Sequence, residues 1–454
     1  MLSVQHRRVG WASLGMKVMS KRFGSAIHVA LMTLTVGGIG ATYTIFRDRG
    51  PTPEQVAAGR VLFEHEWTPS DPMAGGDGLG PVFNERSCVA CHFQGGVGGS
   101  GPVAAMVNTF EIINADDPEH LITGVIHKDA VDPEAKETGG VVRQMFGGQS
   151  DVETIEVRSV CNGLREVQIT RTNPVIFHQV DSPPLFGLAL IDGISDWDLF
   201  RLNAARIGKN MAADFRGEFR RNGKGVARMH AGGHVGKFGW KGQFASLDDF
   251  IATACAMELG LSNSKVSQPL PNKHRGDDSA QQDMSDEQLQ SLVAFVRSLP
   301  RPEQVLPEDV TAREFVADGE AAFAAARCTD CHVPDVGDVQ GLYSDFQLYE
   351  LDEKLVRRVS GGYGGGGPGD PPPLFDWPEH LPSANDWQTP PLWGVADSAP
   401  YLHDGSAATL EVAIERHGGD AEFSRKLYRA MSTRKQESIL AFLRTLRAPS
   451  LEVY

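Results

Sequence analysis

Two pentapeptides, Cys88-Val-Ala-Cys91-His92 and Cys328-Thr-Asp-Cys331-His332, use four of the six cysteines in this 454-residue chain. A Cys-x-x-Cys-His unit is the attachment signature of c-type haem. Its two thiols add to the haem vinyl groups, and the adjacent imidazole is held beneath the iron as the proximal ligand. A redox Cys-x-x-Cys or a zinc half-site also pairs cysteines. Neither needs a histidine directly after the second one, twice over. The pattern therefore implies two covalently bound haems with iron on His92 and His332, and a chain that must fold into two haem pockets.

Charge is distributed unevenly. The chain carries a net −15, yet residues 1–50 hold seven Lys/Arg and one acid, which leaves the remainder at −21. An acidic body excludes nucleic acid as a partner and suits a basic redox protein; the same acidity also keeps a secreted protein soluble. Arg7, Arg8, Lys17, Lys21 and Arg22 precede an apolar run from Ala26 to Ile45, about the length that spans a bilayer. The excess of basic residues before the run puts the N-terminus in the cytoplasm and the body outside. The segment reads as an uncleaved membrane anchor or as a cleaved signal. Either delivers the chain to the periplasm, where bacteria attach c-type haem.

The sequence repeats itself. Glu54-Gln-Val56-Ala57-Ala-Gly59-Arg-Val-Leu-Phe63 resembles Glu314-Phe-Val316-Ala317-Asp-Gly319-Glu-Ala-Ala-Phe323, each ahead of a haem motif. The segments Met284–Leu299 and Met431–Leu446 also match, sharing Ser285/Ser432, Ser291/Ser438 and Phe295/Phe442. Thr52-Pro53 supplies a cap and a proline for a first helical turn, and Ser285 with Gln288 makes a capping box. The fold class is therefore mainly α, with two cytochrome c-like helical domains at residues 51–303 and 304–454 behind the N-terminal segment 1–50. The terminal helices of each domain are expected to cross. A long insertion, roughly residues 100–283, splits the first domain. In it Met106–Ile113 and Val152–Val157 alternate like strands, and Leu247–Leu259 reads as a helix. The Gly- and Pro-rich segment Val359–Pro373 reads as a surface loop.

The residues flanking both motifs resemble the bacterial di-haem c-type cytochrome oxidoreductases, relatives of the di-haem cytochrome c peroxidases. The likeness lies in Asp77-Gly-Leu-Gly80-Pro81-Val-Phe-Asn84-Glu-Arg86-Ser87, Gly236-Lys-Phe-Gly-Trp240-Lys, Glu258-Leu-Gly-Leu261, Thr389-Pro390-Pro391-Leu-Trp393-Gly394 and Tyr401-Leu-His403-Asp404-Gly405. It covers residues 52–448. The resemblance implies a peroxidase-like haem oxidoreductase that takes electrons from a small cytochrome c or cupredoxin and reduces hydrogen peroxide. A non-catalytic electron-transfer cytochrome and a haem-dependent oxidase of an organic or protein substrate are the alternatives. Where the family tends to read Tyr-Ser-Asp-Leu-Leu-Leu-His-Asp-Met-Gly, this chain has Tyr343-Ser-Asp345-Phe-Gln-Leu-Tyr349-Glu-Leu351-Asp, without that His and Met. Its usual basic residue before Thr389 is Gln388.

The resemblance also implies the sixth ligand of the second haem. Relatives carry a methionine seven residues past the leucine matched by Leu410, and that position here is His417. A histidine before Gly418-Gly419 serves equally as a helix cap. For the first haem, His230 and His234 in a glycine-rich loop are the candidates, with Tyr349 as a further one. Asp192, matched to a glutamate of relatives, is the candidate acid–base residue. Trp240, Trp387 and Trp393 are expected at haem edges or between the haems. Outside the cytoplasm Cys161 and Cys255 either pair or stay as separate buried thiols. Mature protein should weigh two haems more than its polypeptide, and Cys88→Ala or Cys328→Ala should each remove one. A single-haem mass after expression with full attachment machinery would refute the double assignment.

Overall fold

The first described helix begins where its cap allows. Thr52 accepts a bond from the Gln55 amide and Gln55 returns one to Thr52, with Pro53 at the first helical position. The structure, a computed structural model, describes residues 50–113, 121–131, 133–137, 140, 155–161, 165–171, 175–215, 225–269, 281–351 and 386–450. Its helices, numbered in chain order, are α1 Pro53–Glu64, α2 Leu188–Asp192, α3 Asp196–Phe215, α4 Leu247–Leu259, α5 Asp286–Ser298, α6 Val310–Ala325, α7 Leu410–Glu415, α8 Glu422–Arg429 and α9 Thr433–Leu443.

The repeat expected to hold each domain together is present as two helix crossings. α1 packs on α5 and α6 on α9. Each crossing is closed by a glycine lying against the partner's backbone. A Cβ on Gly59 would stand 1.8 Å from the Ser291 carbonyl oxygen, and one on Gly319 would stand 1.9 Å from that of Ser438. No side chain fits there. One pair of aromatic rings follows each crossing, Phe63 with Phe295 at 5.1 Å and Phe323 with Phe442 at 5.6 Å. α5 carries the capping box of Ser285 and Gln288. In α9 the equivalent Ser432 makes no side-chain cap bond, and Lys435 stands where the first copy has Gln288.

Two hydrophobic cores follow. One gathers α1, α2, α4 and α5 around Phe63, Phe186, Leu247 and Phe295. The other gathers α6, α7 and α9 around Phe323, Ile439 and Phe442. The first core also takes Val336, Val339, Leu342, Phe346 and Trp393 from beyond residue 304. The strand Glu303–Gln304 pairs with Leu446–Arg447 near the C-terminus.

The insertion is mixed, as expected. β1 (Val107–Ile113) pairs antiparallel with β2 (Leu121–Ile126) and β5 (Val175–Val180), while β3 (Ile155–Cys161) and β4 (Arg165–Arg171) form a hairpin. The strand expected at Val152–Val157 is described from Ile155. Helix α4 has the bounds read from sequence, but α3 was not foreseen. Its start is nevertheless marked, because Ser195 Oγ accepts from the Asp198 amide. The N-terminal segment 1–49 and the loop at Val359–Pro373 lie outside the described residues. Among the described residues no helix is long and apolar enough to cross a membrane.

Gly319→Ala should destabilise the haem-loaded protein by about 1–3 kcal/mol, because overpacking at a backbone contact forces the helices apart. Chemical denaturation reads this as a lower midpoint. An unchanged midpoint would mean that the crossing yields freely.

Candidate haem sites

Each Cys-x-x-Cys-His unit folds as a tight turn after its opening helix, with the histidine amide donating to the first cysteine's carbonyl in both, His92 to Cys88 and His332 to Cys328. Both motifs line apolar cavities. The first holds Cys88, Cys91 and His92 with Phe63, Leu292 and Val296. The second holds Cys328, Cys331 and His332 with Phe323, Leu410 and Leu443. Burial pushes Cys88, Cys91 and Cys328 up to about 12, so these thiols are neutral. As thioethers they carry no charge either, and the apolar wall tolerates both forms.

The two motif histidines are prepared alike. Burial pulls each to about 4, which keeps the imidazole neutral, the form that binds metal. His92 Nδ1 lies 3.2 Å from the Gly99 carbonyl oxygen, and His332 Nδ1 lies 3.0 Å from that of Tyr343. A carbonyl on Nδ1 fixes the tautomer and leaves Nε2 for the iron. Tyr343 reaches this position with φ 55°, in the left-handed region that aromatic residues rarely enter. Its hydroxyl donates to Glu320.

His417 sits opposite His332. Their ring centroids are 6.4 Å apart. A metal about 2 Å from the nitrogen of each imidazole sets the two ring centres roughly 6 Å apart. His417 Nδ1 bonds the Ala413 carbonyl oxygen at 2.7 Å, so Nε2 is the ring nitrogen left over. The capping role and the facing geometry thus coexist in one side chain. Arg425 lines the same cavity, and its buried Nε has no partner. An orphaned guanidinium nitrogen of this kind suits a haem propionate. The residues present therefore fit a haem at each motif.

The other sequence candidates lie elsewhere. His230 and His234 line neither cavity. His230 Nε2 lies 2.9 Å from the Gly242 carbonyl oxygen, and His234 pairs with Asp196 at the surface. Tyr349 belongs to the second cavity, not the first, and its hydroxyl donates to Asp345. Gln388 donates to the carbonyls of Gly236 and Phe346. A neutral amide thus joins these two segments. Asp192 lines neither cavity. Its carboxylate pairs with Arg297 at 2.6 Å and accepts from the Leu247 amide at the start of α4. Those partners give it a structural post. Cys255 is buried as a free thiol on the first cavity's wall; the side chain of Cys161 lies outside the described residues.

Trp240 and Trp387 line both cavities, and Trp393 lines only the second. Trp387 stacks on His403 at 3.4 Å, and the Lys241 ammonium lies 4.1 Å from the ring centroid. With Phe250, which also lines both cavities, three aromatic rings stand on the wall that the sites share.

Three residues on the first cavity were missed. Ala254 and Glu258 lie on α4, and Asp181 lines both cavities. Burial raises Glu258 and Asp181 to about 7 each. The signal for Ala254 was available. Ser246 caps α4 as Thr409 caps α7, each accepting an amide three residues on. Counting from the caps, Phe250, Ile251 and Ala254 correspond to Ala413, Ile414 and His417, and each trio lines its own cavity.

His417→Ala should convert one low-spin haem to high-spin without releasing it, because the thioether bonds persist. Unchanged absorption spectra would leave His417 as a helix cap alone.

No curated protein matches the chain by sequence. Among solved structures, likenesses appear to hydrazine synthase from Kuenenia stuttgartiensis (18% identity, TM-score 0.28, 44% of this chain and 62% of that one). Others are a MauG-like protein associated with microbial copper homeostasis (16%, 0.29, 51% and 80%) and the di-haem peroxidase BthA of Burkholderia thailandensis (18%, 0.23, 35% and 51%). These overlaps are too slight to bear on this chain. One family profile, described as "Di-haem oxidoreductase, putative peroxidase", matches residues 173–446, more than half the chain and including the second haem motif. The chain belongs to this di-haem oxidoreductase family, and its cofactors are two c-type haems.

Proposed function

We propose that the chain is a periplasmic peroxidase-like oxidoreductase built from two haem modules, residues 51–303 and 304–454. The first carries the reactive site and the second takes up electrons. The observation that carries this reading is the unequal pair Ala254 and His417. The two residues stand eight positions past the caps of α4 and α7, Ala254 within α4 and His417 just past the end of α7, each on the wall of its own cavity. In the second cavity His417 supplies a second imidazole opposite His332. In the first, a methyl group stands at the equivalent position, and among the described residues no second histidine, methionine or tyrosine lines that cavity. His92 would then be the one imidazole to hold an iron bound there, and an iron so held would have room for a small ligand.

When bound, the two haems supply an iron that can accept peroxide and a store for a second electron. The chain's own residues do the rest. His92 and His332 are held neutral and oriented by backbone carbonyls, which raises their strength as ligands. Phe63 and Phe250 exclude water from the first cavity, while Trp240 and Trp387 fill the space between the sites. The donor that fits the acidic body is a small cytochrome c or cupredoxin with a basic face. The basic and apolar N-terminal segment supports export, as anchor or signal.

Carbon monoxide reports an available axial position. Reduced protein should bind it at one haem of the two, and Ala254→His should abolish that binding by supplying the missing imidazole. If the wild-type protein binds none, the chain is an electron carrier. If Ala254→His still binds carbon monoxide, α4 does not reach the iron.

A further inference from the structure

The first cavity holds one acid on the wall that carries Ala254. Glu258 follows Ala254 by four residues on α4, so the two share a helix face. Both line the cavity. A close backbone contact fixes the end of this helix. Gly260 caps α4 with φ 65°, and a Cβ on Gly80 would stand 2.4 Å from the Gly260 carbonyl oxygen. The segment Asp77–Arg86 therefore lies directly on the last turn of α4. Asp283, almost fully buried, secures the arrangement by accepting from the Gly78 amide and from both the amide and hydroxyl of Ser262.

That contact brings Asn84 onto Glu258. Asn84 Nδ2 donates to Glu258 Oε2 at 2.6 Å, and the Asn84 amide donates to the Glu258 carbonyl oxygen at 2.7 Å. Asn84 Oδ1 in turn accepts from the Lys128 amide at 2.9 Å. With its amide oxygen engaged by Lys128, Asn84 must present Nδ2 to the carboxyl. The charged groups around the acid come from every neighbouring segment. Lys128 follows β2, Glu85 precedes the haem motif, and the Cys91 thiol belongs to the motif itself. Lys128 and Glu85 lie 3.9 Å apart with side chains 24% and 37% exposed. They form a charged rim that joins the buried acid to solvent. His127 stays uncharged, since burial lowers it to about 4, and its Nε2 lies 2.8 Å from the Met257 carbonyl oxygen.

We propose that Glu258 is the acid–base group of the first cavity, a role that rests on the reading of that cavity as the open one. It takes a proton from the peroxide oxygen that binds and returns it to the other oxygen, which leaves as water when the O–O bond breaks. Over one turnover, peroxide accepts two electrons from two molecules of a one-electron donor and two protons from solvent, giving two waters. Glu258 ends unchanged. Burial is what raises its proton affinity, against the opposing effects of Asn84 and Lys128, to about 7, where both forms are populated near neutrality. Asp181 has a similar proton affinity but a different station. It lies on the stretch 181–183, whose Pro183 backbone approaches the His92 ring, the proximal side.

Two small ligands separate the possibilities in the full haem-loaded chain. Cyanide arrives as hydrogen cyanide and must lose a proton to bind; carbon monoxide has no proton to lose. Glu258→Gln should slow cyanide capture at neutral pH by about 100-fold, the lower range for a positioned acid–base group, and leave carbon monoxide binding unchanged. In the wild-type protein, capture should rise from acid to neutral pH as the carboxyl ionises and then level off; the variant should lose the levelling. Glu258→Asp should recover part of the rate. Equal cyanide rates and pH profiles in wild type and Glu258→Gln would overturn the assignment. Loss of both ligands in the variant would also overturn it, by making Glu258 a support for the pocket. A wild-type protein that binds neither ligand would instead sink the open-face reading on which the proposal stands.

Discussion

Everything in this fold hangs on two places where a helix backbone touches another with no side chain between. At Gly59 against Ser291, and at Gly319 against Ser438, the opening helix of a module lies on its closing helix at a distance only glycine permits. The aromatic pair beyond each crossing then reaches the haem motif. Phe63 sits 6.5 Å from the His92 ring and Phe323 sits 6.2 Å from the His332 ring, at interplanar angles of 43° and 49°. Both proximal histidines thus inherit the same seat from the same crossing. A larger residue at either glycine would move the helix, then the phenylalanine, then the imidazole that must face the iron.

Symmetry at the seat makes the asymmetry across the pockets informative. The helix on the far wall has a matching cap in both modules, at Ser246 and at Thr409. In the second copy it ends soon after its first turns, and His417 closes it by bonding the Ala413 carbonyl while facing His332. In the first copy the helix runs on to Leu259. Alanine at the matching turn leaves the wall low, and the added turn brings a carboxyl to it. A longer helix and a shorter side chain are thus what distinguish the first far wall from the second.

The parts legible in the sequence were those set by local chemistry. Haem motifs, caps and the repeated glycines each signal through neighbours in the chain, and the structure has α1, α4 and α5 where these signals put them. What failed to show was set by partners far away. Asp192 looks like a free turn aspartate until Arg297, 105 residues on, is seen to hold it. His234 looks available until Asp196 takes it. Glu258 stands in one of the segments that carry the family resemblance, yet nothing local announces that a glycine-to-glycine contact with residue 80 will bury it. All three of these residues, Asp192, His234 and Glu258, lie in the insertion, whose long-range packing is why the first pocket was harder to read than the second.

Burial gives the remaining acids their meaning. A chain of net charge −15 has many carboxylates to spare at its surface, where water stabilises their charge. Removing one from water favours its neutral form unless cations compensate. The chain does this twice beside the first haem motif, at Glu258 and at Asp181, and compensates neither fully, leaving both near 7. Asp192, paired with Arg297, shows the same fold giving a carboxylate a cationic partner when it is used only as a brace. A purely structural role would favour that second arrangement, since an acid left half-protonated at neutral pH braces nothing reliably. Under the proposal above, the Glu258 carboxyl, kept near neutrality on the wall that carries Ala254, exchanges protons with the ligand on that side, while Asp181 stands on the proximal side.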